Sequence, residues 1–188
     1  MSVERPPEAI EELVVTCLDY VRRAVGVELD FTPETLSVLD HYAATVRDAL
    51  SQNPALGPLV APALGAYFGE VVRTHFGAFW VVPGRNVHDW AVCFRVVYLA
   101  INPIGVGYDG LYGGTDHDGP SSALRVAAEE REYLDRRLAA LPEVPEDEFH
   151  LFSTRFEVLE VATEALLARM QEEGYGGTEF TAADYGAG

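Results

Sequence analysis

The chain contains no lysine: all 13 basic side chains are arginine, set against 30 carboxylates. With no side-chain amine there is no Schiff base, which excludes a lysine-anchored pyridoxal cofactor and imine-forming lyases. The phosphate loop ending in Gly-Lys-Ser/Thr and the lysine of the kinase strand are excluded on the same ground. Cysteine is scarce too. Cys17 and Cys93 stand in apolar stretches without metal-type spacing, so buried thiols are expected and a bridge between them is not. The longest uncharged stretch, 49–69, carries Pro54, Pro58 and Pro62, which argues against a membrane-spanning helix. Met1 to Leu13 lacks the basic and apolar regions of a signal peptide, so a cytoplasmic location is expected.

Positive charge is lacking as well, and unevenly so. The net charge is −17. Residues 1–51 contribute −6, residues 52–108 contribute +1 and residues 109–188 contribute −12. The middle third is therefore expected to form the buried heart, with an acidic coat supplied by both flanks. Such a coat repels nucleic-acid phosphates and favours encounter with a basic protein. A chain of 188 residues is long enough to bury one core without staples.

What is present is mostly helical periodicity. Ile10, Leu13, Cys17, Tyr20 and Ala24 step by three or four over 7–25, with Gly26 placed to cap. Thr32-Pro33-Glu34 announces a second helix with the stripe Leu36, Leu39, Ala43, Val46 and Leu50. A third helix, starting between Pro58 and Pro62 and ending near Phe76, has only Glu70 and Arg73 as charges and belongs at the centre of the domain. Phe79 to Val82, the turn Pro83-Gly84-Arg85-Asn86 and the β-branched and aromatic run to Ile101 predict an antiparallel sheet within 78–101, with either two strands or one bent strand after the turn. Residues 105–119 hold six glycines and are expected to form a long loop. Two helices with the stripes Leu124 to Leu141 and Phe152 to Met170 should then pair antiparallel. The expected fold is α+β, with four or five helices packed around a small antiparallel sheet. One domain spans 1–173, and a glycine-rich tail, 174–188, is expected to fray.

Candidate chemistry is sparse. Gly114 to Gly119 resembles the opening of a calcium loop, with Asp116 and Asp118 at ligand positions. Gly114 and Arg125 fall where two further ligands are required, so no metal site is assigned. Tyr108, Tyr112, Asp116 and Asp118 remain as binding candidates on the glycine-rich segment. Among the histidines, His75 and His88 could approach across the corner between helix and strand. Glu70, mid-helix in the most apolar part of the chain, is read as an ion-pair partner of Arg73 or Arg95, or otherwise as a general acid or base. Glu70, His75 and His88 are thus the catalytic candidates. No cofactor is implied.

The run Leu64-Gly65-Ala66-Tyr67-Phe68-Gly69-Glu70-Val71-Val72-Arg73, followed by Phe76-Gly77-Ala78-Phe79-Trp80, resembles a pattern in several uncharacterised bacterial families of small proteins, domains of unknown function. The resemblance covers about 20 of 188 residues and implies a fold element without an activity. The favoured function is a non-catalytic, acidic protein-binding role of immunity or accessory type. The alternative is a small hydrolase or ligand-binding enzyme with its site near 105–119.

Overall fold

The structure, a computed structural model, describes residues 5–186. Among them lie six α-helices and a four-stranded antiparallel sheet, so the fold is α+β. The helices are α1 (Glu8–Val25), α2 (Leu36–Leu50), α3 (Gly57–Phe76), α4 (Pro103–Tyr112), α5 (Ala128–Ala139) and α6 (Phe152–Glu172). The strands are β1 (Phe79–Val81), β2 (Ala91–Cys93), β3 (Leu99–Ile101) and β4 (Arg125–Val126), hydrogen-bonded in chain order. The stretch after the turn is therefore two strands: Phe79 pairs with Cys93, and Cys93 with Ala100.

Helix α3 is the axis. Every residue from Ala63 to Val72 is buried, and α1, α2 and α4 all pack against it. The segment 54–76 is long and apolar enough to cross a membrane by length and composition, and 72% of its apolar 18-residue window is buried inside the protein. Its apolar character is thus used by the core. Gly77, at φ 64°, ends the helix in the left-handed cap that glycine adopts without strain.

The glycine-rich segment departs from the expected loop. Residues 103–112 form α4, laid directly on α3. Asn102 caps it by accepting from Ile104 N (3.0 Å) and Gly105 N (3.2 Å), with Pro103 at the first helical position. Each glycine costs about 1 kcal/mol of helix propensity relative to alanine. Packing demands them nonetheless. A methyl group at Gly107 would overlap Ala61 O of α3, and one at Gly65 would overlap Pro103 O. Two backbones meet where side chains cannot fit.

The last two helices pair antiparallel, as Tyr133 Oη donating to Ala165 O and Arg169 meeting Glu130 show. The start of α5 is later than its stripe suggested, because Arg125 and Val126 add to the sheet and Ser121 and Ser122 precede a strand rather than a helix. Helix α6 is capped from another element: Asp40 on α2 accepts from Phe152 N (2.6 Å), Ser153 N (3.3 Å) and Ser153 Oγ (2.7 Å). Burial raises the Asp40 carboxyl above its ordinary range, a push opposed by these bonds and by Arg47.

Of the segment expected to fray, residues 187–188 lie outside the described residues. Within the described part, Phe180 N donates to Arg95 O, and Tyr185 stacks on Tyr98 with ring centres 4.7 Å apart. The Tyr185 hydroxyl accepts from Leu99 N and faces three carbonyls, those of Phe94, Val97 and Leu99.

Candidate functional site

Glu70 sits on the buried face of α3, where the strand that follows brings Trp80 alongside it. Arg73 Nε and Nη2 donate to its two oxygens at 2.8 and 2.9 Å, and Trp80 Nε1 donates to Oε1 at 2.7 Å. Side-chain exposure is 7% for Glu70 and 11% for Arg73. A carboxylate clamped by a guanidinium fork and an indole accepts strong, geometrically specific bonds. Its helical neighbour at i+3 is the partner, and the arrangement joins α3 to β1.

His75 and His88 are not brought together. His75, exposed at the end of α3, packs edge-on against Phe76 and Phe156, with Nε2 3.5 Å from Glu160. His88 lies on the 3₁₀ turn 87–89 and lines a small crevice with Trp90, Asn102 and Arg125. The turn separating the two histidines is pinned by Trp90 Nε1 donating to Gly84 O and Asn102 Nδ2 donating to Val87 O, both near 2.8 Å.

Tyr108 and Tyr112 stand one turn apart on α4, with rings nearly parallel and 6.1 Å between centres. Against them packs His117, a residue that spacing alone did not single out. His117 Nδ1 accepts from Gly119 N (3.1 Å), so the ring hydrogen is on Nε2, which donates to Asp109 Oδ1 at 2.8 Å. The second Asp109 oxygen accepts from Ser122 Oγ, and Arg155 Nη2 donates to Ser122 O (2.8 Å) and Ser122 Oγ (3.0 Å). Serine, aspartate, histidine and arginine thus converge from α4, the segment after it and α6.

The order of the bonds decides what this cluster can do. A nucleophilic triad needs the histidine between serine and aspartate, with a ring nitrogen ready to take the serine proton. Here aspartate is in the middle and both histidine nitrogens are engaged. The cluster is a clamp that fastens segment 113–122 across α4. Asp116 and Asp118 remain at the surface, where Asp118 adds a small upward push to the Tyr108 hydroxyl already raised by burial. Among the described residues no three of His, Cys, Asp and Glu gather in a way that could hold a metal ion.

Among the described residues several hollows have room for a ligand. One, about 680 Å³, runs along α1, but its Arg22 and Arg23 are both spent on Asp19 at 3.0 and 2.9 Å. Two others lie at opposite ends of the α5–α6 pair. One, of about 440 Å³, is apolar and has Arg155 and Arg131 among its walls. The other, of about 540 Å³, brings Glu129, Glu130 and Glu173 together with Tyr98, Tyr175 and Phe180. In the latter, Arg169 Nε donates to Glu173 Oε1 (3.1 Å). It also lies 3.0 Å from Glu130 Oε2, which is buried and has no hydrogen bond. Burial raises the Glu130 carboxyl, Arg169 lowers it, and Glu173 and Glu129 raise it further.

Sequence reasoning missed this groove because its parts are scattered: position 98 just before β3, 129–130 at the start of α5, and 173–180 after α6. The one legible signal was the crowding of acids beyond residue 108. No family model, curated protein or solved structure matches this chain.

Proposed function

We propose that the protein is a non-catalytic binding protein, of the immunity or accessory type, whose acidic surface receives a basic partner protein. The groove at the start of α5 takes one of the partner's cationic side chains. The observation that carries this reading is the hollow that gathers Glu129, Glu130 and Glu173 with three aromatic rings, where Arg169 is shared between Glu130 (3.0 Å) and Glu173 (3.1 Å) and so leaves an excess of negative charge. Carboxylates supply charge-assisted acceptors for an ammonium or guanidinium group, and ring faces attract the same cations. The charge of −17 raises the encounter rate at low salt. The enzyme reading near 105–119 loses support from the clamp just described, since the cluster offers no unengaged base.

The test is calorimetric titration of a hexa-arginine peptide at 10 and 150 mM salt. The comparison is between wild type, a Glu130→Gln/Glu173→Gln variant and a Glu146→Gln/Glu148→Gln variant that removes equal charge from the 142–151 connection. Loss of about tenfold or more in affinity is expected only in the first pair, on the scale of a charge-assisted contact. Equal losses from both pairs would reduce the acids to a diffuse coat. As pH falls through the raised Glu130 pKa, affinity should drop before ordinary carboxylates protonate.

A further inference from the structure

At the other end of the α5–α6 pair, the chemistry is reversed. The walls of the 440 Å³ groove are Leu124, Leu138, Leu141, Val144 and Phe149. Leu141, Val144 and Phe149 are exposed by 36, 43 and 46%, so three of the exposed large apolar side chains among the described residues border one hollow. Its volume falls within the range of small-molecule sites, about 300–1,000 Å³. Apolar surface concentrated in this way marks a binding surface more often than apolar side chains scattered singly.

Arg155 makes the groove selective. Both of its hydrogen bonds leave from Nη2, to Ser122 O and Ser122 Oγ, so among the described residues the Nε–H and Nη1–H groups have no protein acceptor. Its guanidinium lies 5.6 Å from the Phe149 ring. The nearest carboxylate in the clamp, Asp109, has its two oxygens taken by His117 and Ser122 and compensates Arg155 only through space. Arg131 is oriented on the same groove by its bond to Leu124 O (2.6 Å), with Asp135 3.9 Å away. Glu143 is the single acid in the lining, so two arginines face one carboxylate in a chain of net charge −17. This local reversal of sign, set in apolar walls, fits a ligand with one negative head and an apolar tail.

We propose that the groove between the end of α5 and the start of α6 binds a small amphiphilic carboxylate of fatty-acid type. The tail lies among Leu138, Leu141, Val144 and Phe149, and the carboxylate accepts from the Nη1–H donors of Arg155. A charge-assisted bond of this kind gains strength as water is excluded around it. The site is distinct from the cation groove at the other end of the helix pair and stands whether or not that reading holds.

The experiment is calorimetric titration of the full chain with dodecanoate, dodecanol and dodecyltrimethylammonium, each below its micelle concentration. Saturable one-to-one binding of dodecanoate is expected, with the cationic amphiphile at least about tenfold weaker. Arg155→Gln should weaken dodecanoate about tenfold or more while narrowing the gap to dodecanol. Because Arg155 also holds segment 122–124, Val144→Glu serves as a second variant at an exposed position. It places a repelling carboxylate in the groove and should abolish dodecanoate binding without lowering the melting temperature. Equal affinity for all three amphiphiles would overturn the proposal, as would unchanged binding by Val144→Glu. So would a concentration-dependent dimer, detected by sedimentation, whose formation Val144→Glu prevents; the groove would then be a contact between two copies.

Discussion

At position 70 a carboxylate is held between an arginine fork and an indole N–H, with little water in reach of either charge. Replacing it with glutamine leaves an acceptor for Trp80 but removes the carboxylate that faces the Arg73 fork. Breaking a buried pair in this way costs about 3–5 kcal/mol. Glu70→Gln is therefore expected to lower the unfolding free energy measured in urea by that amount, and a loss below about 1 kcal/mol would mean that water reaches the pair. The two thiols offer a second check at this scale. Cys17 is driven strongly upward in pKa by burial, and burial pushes Cys93 up to about 11, a shift that Arg125 moderates. Since the thiolate is the reactive species, both should resist iodoacetamide in the folded protein and react at once in urea. Fast labelling of Cys93 in native buffer would contradict its buried place within the sheet.

Helix α4 shows how far an element can be read from its own residues. Asn102 followed by Pro103 ends the strand run as readily as it starts a helix. The glycines after it argue for a loop, because glycine's local cost is visible in sequence while its reason is not: the backbone of α3 lies against it. Helix α3 itself was plain, since a long run with two charges has nowhere to go but the centre, and the pairing of Glu70 with Arg73 followed from i, i+3 spacing. The cap on α6 could not be read at all, because Asp40 lies 112 residues before Phe152. The clamp was hidden for a similar reason: Asp109, Ser122 and Arg155 come from three segments, and nothing in their spacing announces the contact. The α3–α4 contact can be probed directly. Gly107→Ala should cost about 3 kcal/mol or more, since the clash is with main chain that cannot rotate away. Gly84→Ala, where nothing lies within 4 Å, should stay within about 0.5 kcal/mol. Similar melting temperatures for the two variants would show that α3 and α4 can part at little cost.

For the whole molecule, charge opposes compactness. A net of −17 on a chain of this size destabilises the folded state by self-repulsion, and salt screens it. The melting temperature should rise between 10 and 150 mM sodium chloride, measured by calorimetry with no divalent ion present. A flat response would mean that local pairs such as Arg169 with Glu130 and Glu173 already balance the field. The contact at the centre has a different consequence for the assembled fold. Main chain meets main chain at Gly65 and Gly107, so no side chain there can adjust to a change of alignment. Sliding α4 along α3 by one turn, about 5.4 Å, would put Leu111 or Pro103 where Gly107 lies. The two helices are keyed to each other as a shaft is keyed to its hub. What hangs from α4 through Asp109 and what hangs from α3 through Glu70 and Trp80 must therefore keep one fixed bearing, however the surface around them is redrawn.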